Sequence, residues 1–92
     1  MAKNFKMVTS GQTNRSLRIR LHGDFDGTSA HELANMLTDL RSSFSKVAID
    51  TDGLKTIHAF GLTVFGTQLK KLRRISTRVM FSGKFKDQFT EE

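Results

Sequence analysis

Apolar and polar residues alternate strictly through SLRIRLH, residues 16–22, with Leu17, Ile19 and Leu21 on one side and Arg18, Arg20 and His22 on the other. A period of two predicts a half-buried strand. FKMVTS, residues 5–10, supplies its hairpin partner through GQTN, where Gly11 and Asn14 carry the turn chemistry of a loop of four residues or more. The period then changes. Leu33, Met36, Leu37, Leu40 and Phe44 form the stripe of an amphipathic helix, and Ser29 with Glu32 predicts a capping box at its start. KVAID, residues 46–50, predicts a short strand, and TDGLKTI, residues 51–57, a loop feeding a second helix from about His58 to Arg74. That helix turns Leu62, Phe65, Leu69 and Leu72 inward. Its Gly61 and Gly66 each cost about 1 kcal/mol relative to Ala, which points to close packing or backbone access. RVMFS, residues 78–82, predicts a last strand, and KFKDQF, with Phe85 and Phe89 four apart, one or two final helical turns.

The predicted order is strand, strand, helix, strand, helix, strand, short helix: an α/β fold with a mixed four-stranded sheet, forming a single domain over residues 1–92. A right-handed strand-helix-strand crossover leaves its two strands parallel, so SLRIRL and KVAID end at the same edge. Asp24 and Asp26 after one strand, Asp50 and Asp52 at the end of the other, and the start of the His58 helix are then expected to gather at one rim. Ligands of open α/β sheets favour that edge.

Size and charge narrow the function classes. A chain of 92 residues buries only about 60–65% of the surface its unfolded form exposes, which leaves little room for a deep catalytic cleft. There is no cysteine, hence no disulfide staple and no thiolate metal site. MAKNFKMVTSG lacks the apolar stretch of a secretory signal, and no run approaches a membrane span, so the expected location is the cytoplasm. Fifteen Lys and Arg against nine Asp and Glu give +6. Lys70, Lys71, Arg73, Arg74, Arg78, Lys84 and Lys86 follow one another without a carboxylate, so the domain is expected to be electrically lopsided and to favour anionic partners. No tyrosine, tryptophan or reading motif accompanies that charge, which argues against nucleic acid; a solvated helix end is the simpler account.

Three segments in this order resemble the STAS domain, the family of anti-sigma factor antagonists that also occurs in sulfate transporters. LHGDFD, residues 21–26, resembles the family's Leu-x-Gly-x-Leu-Asp strand end. VAIDTDGLKTI, residues 47–57, resembles its Val-x-Leu-Asp-Leu-Ser-x-Leu-x-x-Ile segment, and Gly61 and Leu62 match the end of its Asp-Ser-Ser-Gly-Leu switch. The resemblance runs over residues 5–83 and implies a bacterial-type regulatory module, active in signal transduction and the regulation of transcription. In the family a serine or threonine of the switch is phosphorylated by a partner kinase and dephosphorylated by a phosphatase. Here His58 stands at the aspartate position, Ala59 at the first serine and Phe60 at the usual phospho-acceptor. A phenyl ring has no hydroxyl, so the resemblance implies a scaffold kept and a switch lost. Family members also usually continue into a longer final helix than KFKDQFTEE provides.

Each candidate residue carries two readings. Phe60 either packs beneath the first strand or the short last helix, or is an exposed anchor for a partner. His58 caps its helix or sits in solvent, with phosphohistidine or a pH switch as the alternative. Asp24, Asp26, Asp50 and Asp52 provide turn and cap chemistry; by resemblance they flank the partner-binding surface. Asp24, Asp26, Thr56, His58, Ala59, Phe60, Gly61 and Thr63 make up that expected surface, and Thr56, Thr63, Ser76 and Thr77 are candidate displaced phosphosites. Asp-x-Asp-Gly-Thr, residues 24–28, also resembles the nucleophile loop of haloacid dehalogenase-like phosphatases, in which Asp24 would attack phosphorus and Asp26 serve as acid or base beside magnesium. Those enzymes need an all-apolar buried strand, and the strand here alternates with arginine.

The expectation is therefore a non-enzymatic protein-interaction module that needs no cofactor and no metal. Its expected partner is an anti-sigma factor or serine-kinase-fold regulator, or a phosphatase. The alternative is an accessory subunit of a membrane lipid-transport complex, with the membrane met only through that complex. A small magnesium-dependent phosphatase is the remote one. The sequence leaves the oligomeric state open.

Overall fold

The structure, a computed structural model, describes residues 4–13, 15–40, 43–72 and 78–89, without the side chains of residues 12, 13 and 72. The described elements are β1 (Lys6–Thr13), β2 (Ser16–Phe25), α1 (Gly27–Leu40), β3 (Lys46–Ile57), α2 (Ala59–Leu72), β4 (Arg78–Ser82) and α3 (Lys86–Phe89). The sheet order is β1-β2-β3-β4. β1 runs antiparallel to β2, whereas β2, β3 and β4 are parallel. This is the α/β fold with a mixed four-stranded sheet that the hydrophobic pattern predicts.

Two crossovers in succession, β2 to β3 and β3 to β4, step in the same direction across the sheet. Crossovers of one hand then lay their helices on one face, and α1 and α2 do pack against each other. Into that layer β2 points Leu17, Ile19, Leu21 and Phe25, and β3 points Val47, Ile49 and Leu54. Ala30, Leu33 and Leu37 of α1 meet them with Phe65 and Leu69 of α2. Met36, Leu40, Phe44 and Leu62 pack at its margin; Leu72 falls outside the described side chains. Phe89 closes the core from α3, edge-on to Phe25 at 4.9 Å and stacked on Phe81 at 5.4 Å. One helical turn therefore finishes the fold.

Three boundaries depart from the sequence expectation. β1 continues to Thr13, with Gly11 inside it at a register irregularity, and Thr13 already pairs with Ser16. The hairpin connection is thus residues 14–15 rather than a loop of four; Arg15 takes φ 63°, and Asn14 lies outside the described residues. α1 starts at Gly27, so Ser29 is not its cap. TDGLKTI is strand rather than loop, because β2 is ten residues long and β3 keeps a partner throughout. Thr51 and Leu54 are buried along it, and register shifts around residues 52 and 55 absorb one extra β3 residue each.

That extension separates the four aspartates. Asp24 lies within β2 and pairs with Thr56, near the end of β3. Asp50 lies mid-strand opposite Ser82, the last residue of β4, seven residues before Ile57, or roughly 20 Å of strand. Asp50 and Asp52 therefore do not reach the rim. Asp50 contacts Arg20, Oδ2 to Nε 3.4 Å, and its Oδ1 accepts the Asp52 amide. Asp52 accepts the Lys84 amide at 2.7 Å. The buried Thr51 hydroxyl donates to the Ser82 carbonyl and accepts the Phe85 amide. These bonds pin the turn that brings Phe89 into the core.

Candidate functional site

The rim is built where β2 and β3 end together and hand the chain to α1 and α2. Asp26 is the N-cap of α1: its Oδ1 accepts the Ser29 amide at 2.9 Å, and its carbonyl accepts the Ala30 amide. The fully buried Ser29 hydroxyl lies 2.9 Å from the Asp24 carbonyl oxygen and 3.1 Å from Asp26 Oδ1, sharing its one proton between them. Asp24 accepts the Thr56 hydroxyl at 2.6 Å across the strand pair. The His58 amide donates to the Phe25 carbonyl, and the His58 carbonyl accepts the Leu62 amide as the first bond of α2. Strand ends and helix starts are thereby locked together.

Gly61 makes the close approach of the two helix starts possible. It is buried, and a Cβ there would lie 2.8 Å from the carbonyl carbon and oxygen of Asp26. Ala59, Thr63 and His58 remain exposed around it, as does Thr56. Thr63 donates its hydroxyl to the Ala59 carbonyl at 3.2 Å. Ser76 and Thr77 lie outside the described residues.

Phe60 is 70% exposed. It packs beneath neither β1 nor α3, so the buried alternative is overturned. Its ring lies over the first residue of α1, where a Cβ on Gly27 would come within 2.9 Å of Cε2. Gly27 is the rim residue that the sequence argument missed. The sequence hid it, because a capping box at Ser29 places Gly27 in the turn before the helix, where a glycine is ordinary.

The electrostatics follow from the cap. The Ser29 amide hydrogen bond holds the Asp26 carboxyl below the usual range; partial burial works against it, and the Ser29 hydroxyl and the His58 charge reinforce it. Asp24 and Asp26 both have hydrogen-bonding work within the fold, and among the described residues no group of three or more His, Asp or Glu side chains is arranged to hold a metal ion. The rim thus presents an exposed aromatic ring on two abutting helix starts, beside capped or hydrogen-bonded carboxylates. This arrangement suits non-covalent docking. The basic end of α2, with Lys70 and Lys71, lies a helix length away, about 20 Å; Arg73 and Arg74 fall outside the described residues.

No family model and no curated protein matches the chain by sequence. Solved structures do. An antisigma-factor antagonist STAS domain from Rhodobacter sphaeroides superposes with a TM-score of 0.65 at 16% identity, covering 97% of this chain and 95% of that one. The Bacillus anti-sigma factor antagonist SpoIIAA in its unphosphorylated form gives 0.63 at 13% identity, covering 83% and 71%. A structure of Mglu gives 0.69 at 19% identity over 82% of this chain, which spans only 19% of the Mglu chain. Among the described residues no helix is long and apolar enough to cross a membrane. On these superpositions, the chain has the fold of the anti-sigma factor antagonist STAS domains.

Proposed function

We propose that the chain is a protein-interaction module that grips its partner through the rim at the starts of α1 and α2. The observation that carries this reading is the exposed ring of Phe60 on an otherwise polar rim. A large aromatic surface held on rigid helix starts is the usual material of a binding hot spot. Asp24, Asp26, Thr56, His58, Ala59 and Thr63 frame it and supply hydrogen-bonding groups, while buried Gly61 sets the spacing beneath. The likeness to anti-sigma factor antagonists supports a protein partner, and the partner class proposed here is a sigma-regulating protein of serine-kinase fold. SpoIIAA has been solved in a phosphorylated as well as an unphosphorylated form. In this chain the family's phospho-acceptor position holds a phenyl ring, so docking is governed by expression or by the partner's own state. No catalytic step is assigned to the rim.

The test is a pull-down from lysate of the source cell with wild type and Phe60→Ser in parallel, captured proteins being identified by mass spectrometry. Wild type is expected to retain a kinase-fold or sigma-regulating protein that Phe60→Ser loses by at least tenfold. Because Phe60 is mostly exposed, the melting temperature of the variant should stay within about 2 °C of wild type. Equal capture by both forms would move the docking surface elsewhere.

A further inference from the structure

We propose that the open face of the sheet, opposite the helices, is a binding surface for an anionic lipid bilayer. Both helices lie on one side of the sheet, so the other side is uncovered among the described residues. Positions that alternate with the buried core of β2 place Arg18, Arg20 and His22 there. Strand register sets Lys6 opposite His22 and, at the other end of β3, Lys46 opposite Arg78, while Lys55, at the second shift in β3, lines a hollow with Lys6 and His22. Lys6, Arg18, Arg20, Lys46, Lys55 and Arg78 are all exposed. Asp24 and Asp50 share the face, the first taken by Thr56 and the second by Arg20. Six cations against two carboxylates leave an excess of four on a chain whose total is +6. The charge that the sequence places at the end of α2 is matched by a second concentration that only the pairing of strands reveals.

The arrangement of that charge selects the partner. The cations spread in two dimensions over all four strands rather than along one line. Val8, 48% exposed, and Met80, 41% exposed, stand among them. Shallow hollows open between Lys6, His22 and Lys55, and between Arg18, Lys46 and Met80. Among the described residues His22 is the one aromatic ring on this face, so it offers no row of rings on which successive bases could stack. Among the described residues no helix projects from it to enter a groove. A second copy of the chain would bring like charge against like. A flat, mixed cationic and apolar plane is complementary to a planar array of anionic headgroups, to which each Lys or Arg near the surface adds about fivefold in affinity.

Vesicles of phosphatidylcholine with 0 or 40% phosphatidylglycerol provide the probe. Wild type is expected to sediment with the anionic vesicles, not with the neutral ones, and to be released as salt rises toward 0.5 M. Substituting Arg18→Gln, Lys46→Gln and Arg78→Gln together should weaken binding about a hundredfold. Lys70→Gln, Lys71→Gln and Lys84→Gln change net charge equally on other surfaces and should cost less than tenfold. Thermal melts establish that both variants fold. A second measurement leaves the charge of the face intact: the chain has no cysteine, so Met80→Cys and, separately, Thr63→Cys take an environment-sensitive dye. A blue shift on anionic vesicles at position 80 and none at position 63 is expected. Equal losses by the two triple variants, equal binding to neutral vesicles, or capture of duplex DNA without capture of vesicles would overturn the proposal.

Discussion

A methyl group placed at Gly61 and one placed at Gly27 meet different obstacles. At Gly61 the neighbour is the backbone of Asp26, 2.8 Å from the added carbon, and that backbone is held by the cap of α1 and cannot yield without separating the helix starts. Ala is better than Gly in a helix by up to about 1 kcal/mol, whereas overpacking of this kind costs about 1–3 kcal/mol. Gly61→Ala is therefore expected to lower the melting temperature by about 5 °C or more, read by circular dichroism. At Gly27 the neighbour is the ring of Phe60, the far end of a side chain free to swing outward. Gly27→Ala should leave the melting temperature within about 2 °C of wild type yet weaken partner capture, because the anchor no longer sits where the partner meets it. A large loss of stability at Gly27, or none at Gly61, would contradict this assignment of the two glycines.

At the scale of elements, the start of α1 links the sequence pattern to acid sensitivity. The carboxyl of Asp26 titrates below its ordinary value, chiefly through the Ser29 amide. A folded-state pKa below the unfolded one, near 4, means that the stabilisation is full above about pH 4 and is lost as pH falls through the folded value. Asp26→Asn keeps a capping acceptor but has no charge to lose, so its urea midpoint should fall less than that of wild type between about pH 4 and pH 2. Parallel curves for the two chains would remove Asp26 from the acid response. The same region marks the limit of what was legible in the sequence. Ser29 and Glu32 mimic a capping box, but Asp26 and Ser29 have the same three-residue spacing and lie where β2 runs out, so tertiary context decided between two equally good caps. Leu17, Ile19 and Leu21 announced β2 by their period of two. TDGLKTI did not announce β3, because its shifts around residues 52 and 55 break that period and only a ten-residue partner makes the extension worthwhile. The rim followed from connectivity; the exposure of Phe60 did not, since a phenylalanine at a helix start reads equally as core or anchor until the glycine beside it is seen.

At the scale of the molecule, the hydrophobic core and the charge distribution oppose each other. The helices α1 and α2 cover one face, and the other gathers six cations, with Lys46 set opposite Arg78 on neighbouring strands. Like charges in directly paired positions are destabilising by a few tenths of a kcal/mol, so the Lys46 and Arg78 pair works against folding by about that much. That repulsion acts between solvated groups and is screened over a Debye length, which falls from about 30 Å at 0.01 M salt to about 3 Å at 1 M. The Arg20 and Asp50 contact is screened too, but it is a single, half-exposed pair of small worth. Repulsion therefore dominates, and the melting temperature should rise by about 1–4 °C between 0.01 M and 0.5 M sodium chloride. The triple change Arg18→Gln, Lys46→Gln and Arg78→Gln should raise the melting temperature at low salt and flatten its salt dependence, while Lys70→Gln, Lys71→Gln and Lys84→Gln should leave most of the slope in place. A melting temperature that falls with salt in wild type would mean that attractive pairs outweigh the crowding of cations. A slope flattened equally by both variants would mean that net charge matters and its placement does not. A slope confined to the sheet-face cations would show that this face is strained as an isolated surface, and that strain is what a layer of fixed negative charge would relieve.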